Sequence, residues 1–326
     1  MTTETTPVAS RLENFAREYL APFSHHAQIR SEHLAEAFRS AFGLPDFPTE
    51  TYLLRLCEEI AVEVGTLPFR VDGLRGLNER YADRPARILL APNLASRLVE
   101  TTIPHELREV IENMFWYVDS SYVGLDTNDN ATMNPVSDRF AGYLLMPTEP
   151  SRALMAAGGY DLLEFSRRTG RSLSSVLLRA RQLFAADSRA GGPVMGAWLF
   201  EADWDLVTRG SVAAPDLLLR HSVALSGFSQ ARGRREAEVF PRRPSNAGAY
   251  QILQFALDAR ATTARRIVGF DLFPDRDYFV VAEPELRFNG PWRVLLTAVR
   301  HDCIPLVTPW LRRLGLTTEV ENVEFL

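Results

Sequence analysis

The sequence predicts an α+β fold divided into several domains, and three observations carry that prediction. At 326 residues the chain is longer than one hydrophobic core usually grows. Helical periodicity dominates from Ser10 to Phe184, interrupted by a patch of short strand-like runs between Leu67 and Pro92. From Gly192 onward the texture changes to alternating or continuous apolar runs of strand length.

Taken in order, Ser10 with Glu13 three residues later has the form of a capping box, and Leu12, Phe15, Ala16 and Tyr19 mark one face of a first helix. A second helix is predicted from Ser31 to Phe42. A third begins near Pro48 and carries Tyr52, Leu53, Leu56, Ile60 and Val64 before Gly65 ends it. "LPFRVDG", "LNERYA" and "ARILLAP" then read as strands separated by Gly, Asp and Pro. The next helix contains "IPHELREVIENMF", with Pro104 predicted to start or kink it, because proline lacks a backbone donor and disfavours helical geometry in the residue before it. Tyr117 to Asn134 has no period and many turn formers, so a loop is expected.

A helix is predicted to restart at Pro135, with Asn134 as its N-cap, and to end at Pro147. "YDLLEFSRRTG" and "SLSSVLLRARQLF", joined by a tight turn at Gly170 to Ser172, form a helix-turn-helix pattern with Leu163, Phe165, Val176, Leu177 and Leu183 as core. The last region predicts strands at "VMGAWLFE", "RIVGFDLF", "DYFVVAE", "RVLLTAVRH" and "TEVENVEF", with one helix at "AYQILQFALDA".

Composition narrows the function classes. With 46% hydrophobic and 24% charged residues the chain has the make-up of a soluble globular protein, and no apolar run approaches a bilayer span. "MTTETTPVAS" lacks the basic and apolar regions of a secretory leader, so a cytoplasmic location and no membrane partner are expected. Cys57 and Cys303 belong to no paired spacing, which fits reduced structural thiols. A net charge of −5 argues against a surface built throughout for nucleic acid, though one basic face could still serve. All 36 basic residues are arginine, a pattern that GC-rich coding or selection against lysine modification would each produce.

The chemistry sits in "HELRE". On a helix, positions i and i+4 share a face, so His105 and Glu109 project together with Glu106 beside them. This is the geometry of the zinc-protease motif H-E-x-x-H, in which two ligands come from one turn and the glutamate deprotonates a metal-bound water. Here Glu109 occupies the second ligand position. A plain reading also stands: His105, Glu106, Glu109 and Glu112 would form a solvated acidic face.

A resemblance bears on the choice. "DRFAGYLLMPTE", Asp138 to Glu149, resembles the F-A-x-x-L-L-M-P block that follows H-E-x-x-H in the ImmA/IrrE family of metallopeptidases, bacterial proteins that cleave transcriptional repressors. "ARILLAP" is similar to the strand before that family's HE helix, and the helix pair at Leu162 to Phe184 sits where radiation-response members carry a helix-turn-helix. "GGPVMGAW" opens a region where they carry a GAF-like domain.

The resemblance implies an N-terminal helical extension over residues 1–47 and a zincin-like domain over 48–150. A helix-turn-helix-like part over 151–190 and a GAF-like sensor over 191–326 would follow. In the family pattern the third ligand is a glutamate four residues before an asparagine, and those places fall on Asn134 and Asp138 here.

The implied site therefore has His105, Glu109 and Asp138 as ligands, with Glu106 as general base. The cofactor would be zinc, or manganese given the oxygen-rich set, or none. Three functions remain open. The first is an intracellular regulatory or stress-response protein that acts through a protein partner with impaired or lost protease activity. The second is a metal-dependent endopeptidase whose partner is a transcriptional repressor. The third is a DNA-binding regulator that uses Arg171, Arg179 and Arg181 of the helix pair.

Other signals have plain readings. Arg167 and Arg168 add to the charge of the helix pair, and Arg232, Arg234, Arg235, Arg242 and Arg243 read as a solvated loop. Trp198, Phe200, Trp204, Phe270 and Phe273 read as core, with a ligand pocket as the alternative. His25, His26, His33, His221 and His301 have no ligand spacing.

Overall fold

The computed structural model describes residues 10–23, 29–79, 85–125, 130–184, 192–203, 216–225, 251–253, 255–256, 262–268, 277–285 and 293–316. Contacts divide the chain into two compact units, Met1–Pro150 and Ser151–Leu326. The fold is mixed α+β, with one sheet in each unit.

In the first unit, α1 (Arg11–Leu20) begins where the Ser10 hydroxyl accepts the Glu13 amide at 3.1 Å, so one orphan donor of the first turn is satisfied as the sequence predicts. Its helical stripe Leu12, Phe15, Ala16 and Leu20 is buried. Helix α2 spans Ser31–Phe42 as predicted, and Gly43 closes it with a left-handed φ of 62°. Phe38 lies at the centre of this packing. Its ring meets Phe15 edge-on at 5.3 Å, Phe42 at 4.4 Å and Phe140 at 6.2 Å.

Helix α3 spans Glu50–Glu59 and stops earlier than its apolar spacing suggests, because Ala61 turns to a left-handed φ of 58° and redirects the chain. Ile60 and Val64 are therefore not helical, and Val62–Thr66 is strand β1. Strands β2 (Gly76–Glu79) and β3 (Ala86–Leu90) complete a three-stranded sheet in the order β1-β3-β2, with β1 parallel and β2 antiparallel to β3. The predicted strand "LPFRVDG" is instead connecting chain.

Helix α4 runs Ser96–Val118 and packs against α1, α3, β2 and β3. Pro104 lies inside it, which corrects the predicted start: a buried stripe of Val99, Ile103, Leu107, Val110, Ile111 and Phe115 outweighs the backbone bond that proline cannot donate to Glu100. Helix α5 (Asn130–Leu145) packs along α4 and α2 and likewise begins before its proline, so Asn134 lies within the helix and is not its N-cap.

Helix α6 (Thr148–Ala157) was not foreseen. In the second unit, α7 (Leu162–Thr169) and α8 (Leu173–Phe184) flank a turn at Gly170, whose φ is 72°. Asp161 caps α7 by accepting the Glu164 amide at 2.8 Å. Leu163, Phe165, Val176, Leu177 and Leu183 are all buried.

Strands β4 (Met195–Asp203), β5 (Asp216–Leu225), β6 (Thr263–Val268), β7 (Asp277–Glu285) and β8 (Arg293–Arg300) form an antiparallel sheet ordered β5-β4-β8-β7-β6. Trp198 and Phe200 belong to its core with Tyr278, Val280 and Leu296. Helix α9 (Ile304–Arg313) follows, and Trp310 Nε1 donates to Glu283 Oε2 at 3.1 Å. Burial pushes that carboxyl up to about 7.

The predicted strand "TEVENVEF", the arginines from Arg232 to Arg243, His25, His26, Trp204, Phe270 and Phe273 lie outside the described residues. Cys57 and Cys303 are free and buried, and burial pushes the Cys57 thiol up to about 12. Among the described residues no helix is long and apolar enough to cross a membrane.

Truncating the central ring tests this packing. Phe38→Ala is expected to lower stability by about 3–5 kcal/mol, read from urea unfolding followed by circular dichroism. A loss below about 1 kcal/mol would mean that the helices of the first unit do not close around this side chain.

Candidate functional site

Three elements bring the site together. Helix α4 presents His105, Glu106 and Glu109, strand β2 faces them with Asn78, and α5 contributes Asn134 and Asp138. The approach of β2 to α4 depends on Gly76. A Cβ there would meet Thr102 Cγ2 at 2.5 Å and Glu106 Oε1 at 3.1 Å, so a larger residue would push the strand away from the helix. These residues line a cleft of about 550 Å³ with Arg75, Leu77 and Thr101.

Within it, His105 is held at Nδ1 and has a second acid near Nε2. Nδ1 is 2.9 Å from Asp138 Oδ1, and Nε2 is 3.7 Å from Glu109 Oε1. Asn78 Nδ2 donates to Glu109 Oε2 at 2.6 Å and to Glu106 Oε2 at 3.2 Å, so one amide bridges two acids that would otherwise repel. Glu106 is buried, whereas the Asp138 side chain is 77% exposed.

The electrostatics follow from this enclosure. Burial opposes charge on His105, but the hydrogen bond with Asp138 and the charges of Glu106, Asp138 and Glu109 outweigh it, and its pKa is raised above 6.5. Burial also raises Glu106 above 4.5, against the pull of the Asn78 donor. Both groups bind protons more tightly folded than unfolded. Their contribution to stability is therefore fully present below the unfolded values, 6.5 and 4.5, and is lost as pH rises through the raised folded values.

The donor set can be tested against a metal ion. Asn78 supplies donors where a cation would meet Glu106 and Glu109, and Asp138 is engaged with His105 Nδ1. Asn134, at the place where the resemblance requires a carboxylate, is an exposed amide. Among the described residues no three His, Cys, Asp or Glu side chains converge as a metal-holding group. As placed, the residues do not fit a resident divalent ion.

Residues 57–181 match the family model of the IrrE N-terminal-like domain. The chain carries an IrrE N-terminal-like domain. That domain begins in α3 and ends within α8, so it crosses the division between the two compact units. A solved structure, a Mycobacterium tuberculosis transcriptional regulator, shares the fold with a TM-score of 0.55 and 14% identity, over 95% of this chain and 86% of its own. No curated protein matches the sequence.

Elsewhere in the IrrE N-terminal-like domain, Arg171 and Arg179 of the helix pair are 2% and 1% exposed, so neither guanidinium reaches a phosphate as placed. Of the three arginines expected to meet DNA, only Arg181 is exposed. Asn78 and Gly76 were not foreseen as site residues. Their strand was legible, but nothing in its spacing shows which helix it faces.

The imidazole pair makes one expectation measurable. Replacing Asp138→Asn removes the hydrogen-bonded anion and should lower the His105 pKa, followed through the imidazole C–H signals by two-dimensional NMR. An unchanged titration would mean that Asp138 does not hold the ring.

Proposed function

We propose that this protein is a regulator of the ImmA/IrrE type in which the zincin-like helix has lost its peptidase chemistry and acts as a scaffold that binds a protein partner. The carrying observation is the setting of His105, whose Nδ1 lies 2.9 Å from Asp138 Oδ1 and whose pKa is raised, so that its proton is held more firmly than on a free imidazole. The exchange of the second motif histidine for Glu109 supports the same reading. With Glu106, Glu109 and Asp138 around it, the imidazole holds its proton more firmly, and metal binding requires that proton to leave.

The regulatory part rests on the IrrE N-terminal-like domain and on fold likeness to a transcriptional regulator. The antiparallel sheet of the second unit fits a GAF-like sensor, and a cytoplasmic stress role fits the same family. In the competing reading, His105, Glu109 and Asp138 hold zinc or manganese, Glu106 is the general base, and a repressor loop is the substrate.

Elemental analysis of protein purified without chelator separates the readings. The expected result is equal and negligible zinc and manganese in the wild type and in His105→Ala. Near-stoichiometric metal lost in that variant would overturn the proposal. A restoring variant, Glu109→His with Asn134→Glu, should gain zinc, because it supplies a second imidazole and the missing carboxylate.

A further inference from the structure

A second cavity, of about 510 Å³, lies in the first unit among α2, α4, α5 and the segment Tyr122 to Leu125. Its wall carries three arginines, Arg30, Arg108 and Arg139, against one glutamate, Glu32. Arg30 and Glu32 approach each other at 3.8 Å. The rest of the wall is largely apolar and includes Val123, Leu125, Val136 and the rings of Tyr122 and Tyr143.

Arg108 is the unusual member. It is fully buried, and its Nη1 donates to Glu112, which is also fully buried. Glu112 in turn accepts from the Tyr122 hydroxyl at 3.1 Å and from the Leu125 amide at 2.8 Å, so its own requirements are met by protein. A Cβ at Gly124 would collide with Glu112 Oε1 and the Tyr122 ring, so this segment is fitted closely around the acid. Yet Arg108 Nε and Nη2 have no hydrogen-bond partner in the protein. Those two atoms form the side-on edge of the guanidinium, whose parallel N–H bonds match the two oxygens of a carboxylate. Buried donors of this kind are almost always satisfied, and Arg108 is one of the residues that line the cavity.

We propose that this cavity is a binding site for a small organic carboxylate with an apolar body. Its two oxygens take Nε–H and Nη2–H of Arg108, and its hydrocarbon lies against Val123, Leu125, Val136 and Tyr143. Arg139 and Arg30 bias the entrance toward anions, and the single acid Glu32 is already drawn to Arg30. Glu112 fixes the guanidinium plane, and with it the direction of the fork. The site is separate from the His105 cleft, and its occupation does not depend on whether that cleft holds a metal.

The experiment uses the full chain and three probes, octanoate, 1-octanol and inorganic phosphate, with binding measured by calorimetry and ligand-observed NMR. Octanoate is expected to bind once per chain, and octanol about 10-fold or more weaker, because it offers no paired oxygens to the guanidinium. Two variants address the wall: Val136→Phe fills the apolar end, and Arg108→Met with Glu112→Leu removes the buried pair together, which spares the fold an unpaired charge. Each is expected to weaken octanoate about 10-fold or more. If the double variant does not fold, Val136→Phe decides alone. Octanoate binding no tighter than octanol, or unchanged in a folded variant, overturns the proposal. Binding of phosphate without octanoate overturns the apolar part of the site and with it the assignment.

Discussion

The buried pair of Arg108 and Glu112 is the constraint on which the first unit depends. Two opposite charges with no solvent exposure are stable only where the geometry is good and the remaining polar atoms find partners, since dehydration of each ion costs several kcal/mol. Glu112 meets that condition through Tyr122 and the Leu125 amide, and in doing so draws the chain after α4 back over the helix. The same helix carries His105 and Glu109 on a neighbouring strip of its surface, because residues three and four apart lie one turn along it. Whatever fixes the rotation of α4 about its axis therefore fixes where the imidazole points. Tyr19 joins this arrangement by stacking on Phe115 at 5.7 Å, and burial pushes its hydroxyl up to about 12.

Much of the architecture was legible because local and tertiary preferences agree in it. Ser31–Phe42 has a regular apolar stripe and a glycine just past its end, and the helix spans those residues. Strand β3 and the turn at Gly170 were equally clear, since an apolar run bounded by proline and a glycine between two helical stripes each admit one solution. The misses share a cause. Pro135 read locally as a helix start and Pro104 as a start or a kink, but both lie within helices whose buried faces continue on either side. Ile60 and Val64 match a helical period and also fit a strand, and only the backbone reversal at Ala61 decides between them. Strand β5 went unread because its apolar run is broken by Arg220 and His221, and helices α6 and α9 because prolines interrupt their apolar spacing.

The site was legible along a helix and illegible across elements. His105, Glu106 and Glu109 follow from one spacing on α4, and Asp138 was reached only because "FAGYLLMP" marked its helix as a neighbour. Asn78 could not be found this way. A side chain that bridges two acids from an opposing strand leaves no period, and its meaning comes from the 28 and 31 residues that separate it from Glu106 and Glu109. Arg171 and Arg179 show the converse: charge on a helix-turn-helix pattern suggests a ligand, while the fold turns both inward.

The cleft also shows how neighbouring acids set the state of one imidazole. Asp138 is hydrogen-bonded to the His105 ring, the charges of Glu106 and Glu109 also act on it, and neighbouring acids favour a positive charge among them. A divalent ion answers that requirement in a zinc-protease helix, where the ligand histidines must be neutral. Burial disfavours charge on His105, but the hydrogen bond with Asp138 and then the charges of Glu106, Asp138 and Glu109 outweigh it, while Asn78 donates to Glu109 and Glu106. A proton and a metal compete for the same ring nitrogens. Whatever holds the proton on His105 therefore acts against a metal at that ring.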